Sequence, residues 1–155
     1  MKRAVILIWV LFLAINASGQ NFAKNADKII IETKYTNIDS AMVASANLLL
    51  DNKIVIDVID YKVRYITTKA CKERINLYHK LLLRFSEEKG FVTIILSGQY
   101  MLATAETYDS SLGWDPIENS GFKGSVLQQA WKLLVTNANY LGTISPLNES
   151  SEISK

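Results

Sequence analysis

The chain has 155 residues, 49% of them hydrophobic, with 17 Lys and Arg against 15 Asp and Glu for a net charge of +2. That balance does not supply the basic surface that nucleic acid or an anionic membrane demands. A single cysteine, Cys71, excludes an internal disulfide framework, so a domain of this chain must be held by its core.

The N-terminus reads MKRAVILIWVLFLAINASGQ. Lys2 and Arg3 precede an unbroken apolar run from Ala4 to Ile15, 12 residues long, too short to cross a bilayer comfortably as a helix. Ala17 and Gly19 then stand at −3 and −1 of a cut before Gln20. This is the layout of a secretory signal peptide. It predicts an exported protein, periplasmic or secreted; the alternative is an uncleaved N-terminal anchor. No cysteine lies near the cut to carry a lipid. Loss of residues 1–19 leaves 136 residues with zero net charge, enough for one domain with a real core. That domain is expected over 27–142, after a loose lead-in at 20–26 and before a flexible tail at 143–155. No second segment approaches transmembrane length, so no membrane span remains after cleavage.

The domain opens with DKIIIETKY, whose β-branched Ile29, Ile30 and Ile31 predict a strand. In TNIDSAMVASANLLLDN the period lengthens: Ile38, Met42, Ala46 and Leu49 recur at helical spacing. Asn37 is the expected N-cap, Asp39 favours the first turn, and Asn52 is the expected left-handed stop. The runs KIVIDVID and KVRYITTKA alternate and predict a hairpin joined through Asp60, Tyr61 and Lys62. Ile54, Ile56 and Val58 share one face of it; Val63, Tyr65 and Thr67 share another.

INLYHKLLLRF alternates next, with Leu77, His79, Leu81, Leu83 and Phe85 on one side and Tyr78, Lys80, Leu82 and Arg84 on the other. SEEKG turns the chain at Gly90, and FVTIILSGQYML returns as a second long strand in which Gly98 suggests a bulge. From about Ala103 to Gly124 no period holds, and long irregular segments of this kind often carry function. Its second half is GWDPIENSGFKGS, residues 113–125. SVLQQAWKLLVTNANYLG then shows a broad apolar stripe of Val126, Leu127, Ala130, Trp131, Leu134, Val135, Ala138 and Leu141. Ser125 and Gln128 have capping-box spacing, and Gly142 is the expected stop.

The order β-α-β-β-β-β-α predicts an α+β fold: an antiparallel sheet of about five strands with two helices on one face. Over roughly residues 27–142 it resembles the TBP-like or helix-grip architecture, and small exported bacterial domains of unknown function with that fold. The resemblance rests on element order, with no diagnostic motif. It implies a curved sheet and, in helix-grip proteins, a gap beneath the C-terminal helix that can hold an apolar ligand.

Familiar catalytic patterns are missing from the sequence. His79 is the only histidine, and its place between Leu77 and Leu81 reads as structural. There is no HExxH, CxxC or GxSxG, so neither a typical zinc site nor a nucleophile elbow is indicated. Asp57, Asp60, Glu87 and Glu88 read as solvated carboxylates rather than an acid–base pair. GFKGS fails as a phosphate loop because Lys123 precedes Gly124 instead of following it. Cys71 reads as a small half-buried residue unless a base is paired with it. No cofactor or metal is expected.

The aromatic residues are the stronger lead. Tyr100, Tyr108, Trp114 and Phe122 lie in or near the irregular segment, and Trp131 lies on the final helix. Two readings compete: Trp114 and Phe122 fold inward and pin the loop, or the aromatics line a pocket or partner surface. A long loop needs an anchor, which favours pinning. Together these features predict a non-catalytic binding or assembly domain of the bacterial cell envelope, with an envelope protein as partner. The alternative is a carrier of a small apolar ligand held between sheet and final helix.

Overall fold

The computed structural model describes residues 22–74, 76–103 and 113–145. The expected signal segment and Tyr108 lie outside them. In chain order the elements are β1 (Lys28–Glu32), α1 (Ile38–Asp51), β2 (Ile56–Asp60), β3 (Tyr65–Thr68), β4 (Cys71–Arg74), β5 (Leu77–Glu88), β6 (Phe91–Leu102), β7 (Asp115–Pro116), α2 (Val126–Leu141) and β8 (Thr143–Ile144). The fold is α+β, an open antiparallel sheet ordered β2-β3-β5-β6-β1-β8, with β4 beside β5 and β7 beside β6.

Among the described residues the sheet has eight strands, where about five are expected. The additions β4, β7 and β8 have four, two and two residues, too few for a period of two to stand out in sequence. β8 also carries the sheet past Gly142. Thr143 and Ile144 pair with Glu32 and Ile31. The Ser145 amide donates to the Ile30 carbonyl at 2.9 Å and its hydroxyl to the Glu32 carboxylate at 2.7 Å. The ordered chain therefore runs beyond the expected start of the tail at 143.

β5 and β6 form the centre, paired without a break from Leu77↔Leu102 to Glu88↔Phe91. Lys89 and Gly90 close them with φ of 53° and 83°, the two positive angles of a type I′ turn. Alternation sends Leu81, Leu83, Phe85, Val92, Ile94 and Leu96 to one face, joined by Ile29 and Ile31 of β1 and Ile66 of β3. Both helices bury their stripes there, α1 through Met42, Ala46 and Leu49, α2 through Ala130, Trp131, Leu134 and Ala138. Gly98 makes no bulge. It lies opposite Leu81 in the unbroken register, and a Cβ on it would stand 2.9 Å from Ile117 Cδ1 and 3.2 Å from Leu134 Cδ1. The glycine lets the final helix and the loop press onto the strand.

The helix ends follow the sequence in part. Asn37 caps α1, its side chain accepting from the Ser40 amide at 2.9 Å. Asn52 is not the left-handed stop: its φ is −86°, and Lys53 takes the positive angle of 63°. At α2, Ser125 Oγ accepts from the Gln128 amide at 3.3 Å, while Gln128 Oε1 reaches back to the Gly124 amide at 2.8 Å. The return bond passes over the Ser125 amide, which already donates to the Phe122 carbonyl at 3.0 Å. Gly142 ends α2 in extended backbone, φ 166°. Its small size is what matters, since a Cβ would meet the Glu32 carbonyl oxygen at 2.7 Å.

The β2–β3 hairpin also departs from expectation. Asp60 Oδ1 accepts from the amides of Lys62 and Val63 at 2.8 and 2.9 Å, and Arg64 takes a φ of 62°. Val63 is thus an exposed turn residue, and the return strand starts at Tyr65. A register shift between Ile56 and Val58 breaks the expected shared face, leaving Ile54 buried and Val58 exposed.

Candidate functional site

The irregular segment re-enters the described chain at Gly113. Asp115 and Pro116 pair with Tyr100 and Gln99 as β7, and the Ile117 amide donates to the Gly98 carbonyl at 2.9 Å. Ile117 is 1% exposed and drives its side chain into the core above Gly98. Asn119 then ties the loop to the lead-in. Its Nδ2 donates to the carbonyls of Phe22 and Ala23 at 3.1 and 2.9 Å, and its backbone exchanges bonds with Asn25 and Ala26. Residues 22–26 are therefore pinned, not loose. Sequence reading passed over Ile117 and Asn119 because neither lies in a periodic run.

Gly121 and Gly124 turn the chain with φ of 86° and 90°. A Cβ at Gly121 would run into Ser125 Oγ, so the turn and the helix cap share one space. The turn does not set Phe122 inward: it is 78% exposed. The corner is held by Ile117 and not, as expected, by Phe122.

The other aromatics are spread over both faces. Trp131 is buried under the edge of Phe22, ring centroids 5.2 Å apart and planes at 84°. The pair lines a depression of about 560 Å³ with Asn119, Gln128 and Lys132. Tyr100 is half-buried against the main core, and burial, with Asp115 and Glu118 adding to it, pushes its phenol above the usual range. Trp114 lies on the opposite, helix-free face. There it packs on Tyr78, Met101 and Ala103, with Lys80 Nζ 4.2 Å from its ring centre. Tyr100, Trp114, Phe122 and Trp131 do not meet in one site.

What does converge is a depression of about 500 Å³ across the helix-free face. Its floor follows one register row: Thr67 opposite Leu82, and Leu82 opposite Ser97. The next row adds Lys80 opposite Gln99, with Pro116 of β7 beyond. Asp57 of β2 and Asp27, just before β1, stand at its two sides. Those strands are four spacings apart, or about 19 Å. The trough offers hydroxyl, amide, carboxylate and ammonium groups around one leucine, a lining suited to recognition. Period-two alternation identifies which side chains share this face; the register that aligns them was not legible.

His79 sits on the helix-covered face, 4% exposed, with neither ring nitrogen hydrogen-bonded among the described residues. Burial holds its pKa below the ordinary value, partly opposed by Glu73. Burial likewise pushes the Cys71 thiol up, offset in part by a backbone hydrogen bond from Val55, while Glu73 adds to the rise. Among the described residues, no three His, Cys, Asp or Glu side chains are grouped to hold a metal ion. Compared with known protein families and with curated proteins, the chain matches none.

Proposed function

We propose that this chain is an exported, non-catalytic binding or assembly domain of the bacterial cell envelope, and that a partner docks along the trough beside Trp114. The observation that carries this reading is how closely α2 seats on the sheet. Ala130, Leu134 and Ala138 are fully buried, and Leu134 and Ile117 fill the space over Gly98. A carrier would need that space for its ligand. The accessible recognition groups lie instead on the other face, where Thr67, Lys80, Ser97 and Gln99 line an open surface. Export rests on the signal-like first 19 residues. The TBP-like or helix-grip reading of the fold rests on the long antiparallel centre and the C-terminal helix laid across it.

The test is a photo-crosslinking amino acid placed at Ser97, in the trough, and at Asn47, on the exposed side of α1. In cells, Ser97 should give a discrete adduct in the envelope fraction and Asn47 none. Equal adducts from both positions, or none from Ser97, would remove the trough from consideration. N-terminal sequencing of the same material should begin at Gln20; Met1 retained would favour an anchor.

A further inference from the structure

The sheet ends on one side at β2, which among the described residues pairs with β3 alone. The Phe85 amide donates to the Arg64 carbonyl, so alternation turns the backbone groups of Tyr65 and Thr67 toward Asp60 and Val58. The amide and carbonyl of Ile59 then face outward, open to another strand. Val55, Val58 and Ile59 are exposed along this edge, and Tyr61 and Val63 are exposed on the turn that follows. Five of the eleven exposed large hydrophobics among the described residues thus fall within nine residues, a clustering that marks an interaction surface. At the opposite edge β8 has only two residues, too short to template a partner.

The charges of β2 decide what covers it. Its acids are Asp57 and Asp60, and exposed Lys53 precedes it. Let two copies of β2 run antiparallel about a twofold axis, with Val55 opposite the second copy's Val58. Asp57 then falls opposite Ile56, and Asp60 opposite Lys53. No acid meets an acid, and each end of the seam carries a pair of opposite charge. The bulge between Ile56 and Val58 permits this register. Residues three apart ordinarily point to opposite faces, but the extra residue sets Val55 and Val58 on the same side. A wholly apolar strand would leave Lys53 and both acids unanswered. We propose that β2 pairs with β2 of a second copy of this chain, joining two sheets into one across a twofold axis. Asp57, at one side of the trough, lies on that seam, so the two troughs run on into each other.

Sedimentation velocity of the purified protein over a range of concentrations tests this. Reducing conditions keep Cys71, the free thiol, from joining two chains. A reversible monomer–dimer equilibrium is expected. Val58→Lys should raise the dimer dissociation constant roughly tenfold. Lys53→Glu, outside every helix and strand, should raise it roughly threefold and carries the test if Val58→Lys fails to fold. Val63→Lys should leave it unchanged, although Val63 is the most exposed of the five at 69%, because it lies on the turn beyond the seam. A monomer at every concentration would overturn the proposal. So would an undiminished dimer in Lys53→Glu, or an equal loss in Val63→Lys, which would assign association to the hairpin tip.

Discussion

Trp131 lies mid-stripe on α2 between Leu127 and Leu134, meets Phe22 edge-on and is 5% exposed. Trp131→Ala should cost about 3–5 kcal/mol in unfolding free energy; a loss below about 1 kcal/mol in urea titrations would place the ring outside the core. His79 makes a second, pH-dependent prediction. Its pKa is depressed in the folded state by burial, so the unfolded chain binds the proton more readily. Stability from the neutral ring is present in full above the unfolded value of about 6.5 and falls as pH drops below it toward the folded value. The unfolding free energy should rise from pH 5 to 7, and His79→Gln should flatten that slope. An equal slope in the variant would assign the effect to carboxylates instead.

At the scale of elements, the segment from Gly113 to Ser125 acts as a corner, but different residues hold it from those its composition suggests. Its aromatic residues are the obvious anchors by composition, yet Phe122 faces solvent and Ile117, a single aliphatic among polar neighbours, takes the buried place. Ile117→Ala should cost about 2–5 kcal/mol, whereas Phe122→Ala should leave the melting temperature within a degree or two. Trp114→Ala should fall between them, losing its contacts with Tyr78, Met101 and Ala103. A melting temperature lowered most by Phe122→Ala would reverse this assignment. The regular elements were legible because their burial repeats: α1 and α2 begin where Asn37 and Ser125 cap them, and β5 and β6 alternate over twelve residues each. β4, β7 and β8 were not, since strands of four, two and two residues are too short for alternation to show. Gly98 reads as a bulge and forms none, Gly142 reads as a helix stop and does end α2, and at both the close approach of another segment is what requires glycine.

At the scale of the whole molecule, the account depends on a sheet solid on its helix-covered face and receptive on the other. Gly98 marks the contact between those halves. Gly98→Ala should destabilise by about 1–3 kcal/mol, because Ile117, Leu134 and the Lys80 carbonyl already crowd the added methyl. A carrier with room beneath α2 would absorb that methyl without loss. The faces could be read from alternation, but whether they enclosed a chamber could not, because that depends on how far α2 settles onto β6. Native mass spectrometry of the protein, gently released from the envelope fraction, tests this most directly. The account predicts a folded species whose mass is unchanged by extraction with an apolar solvent. A species carrying an extractable apolar molecule, with Trp131 fluorescence shifting on its removal, would contradict the account and establish the carrier.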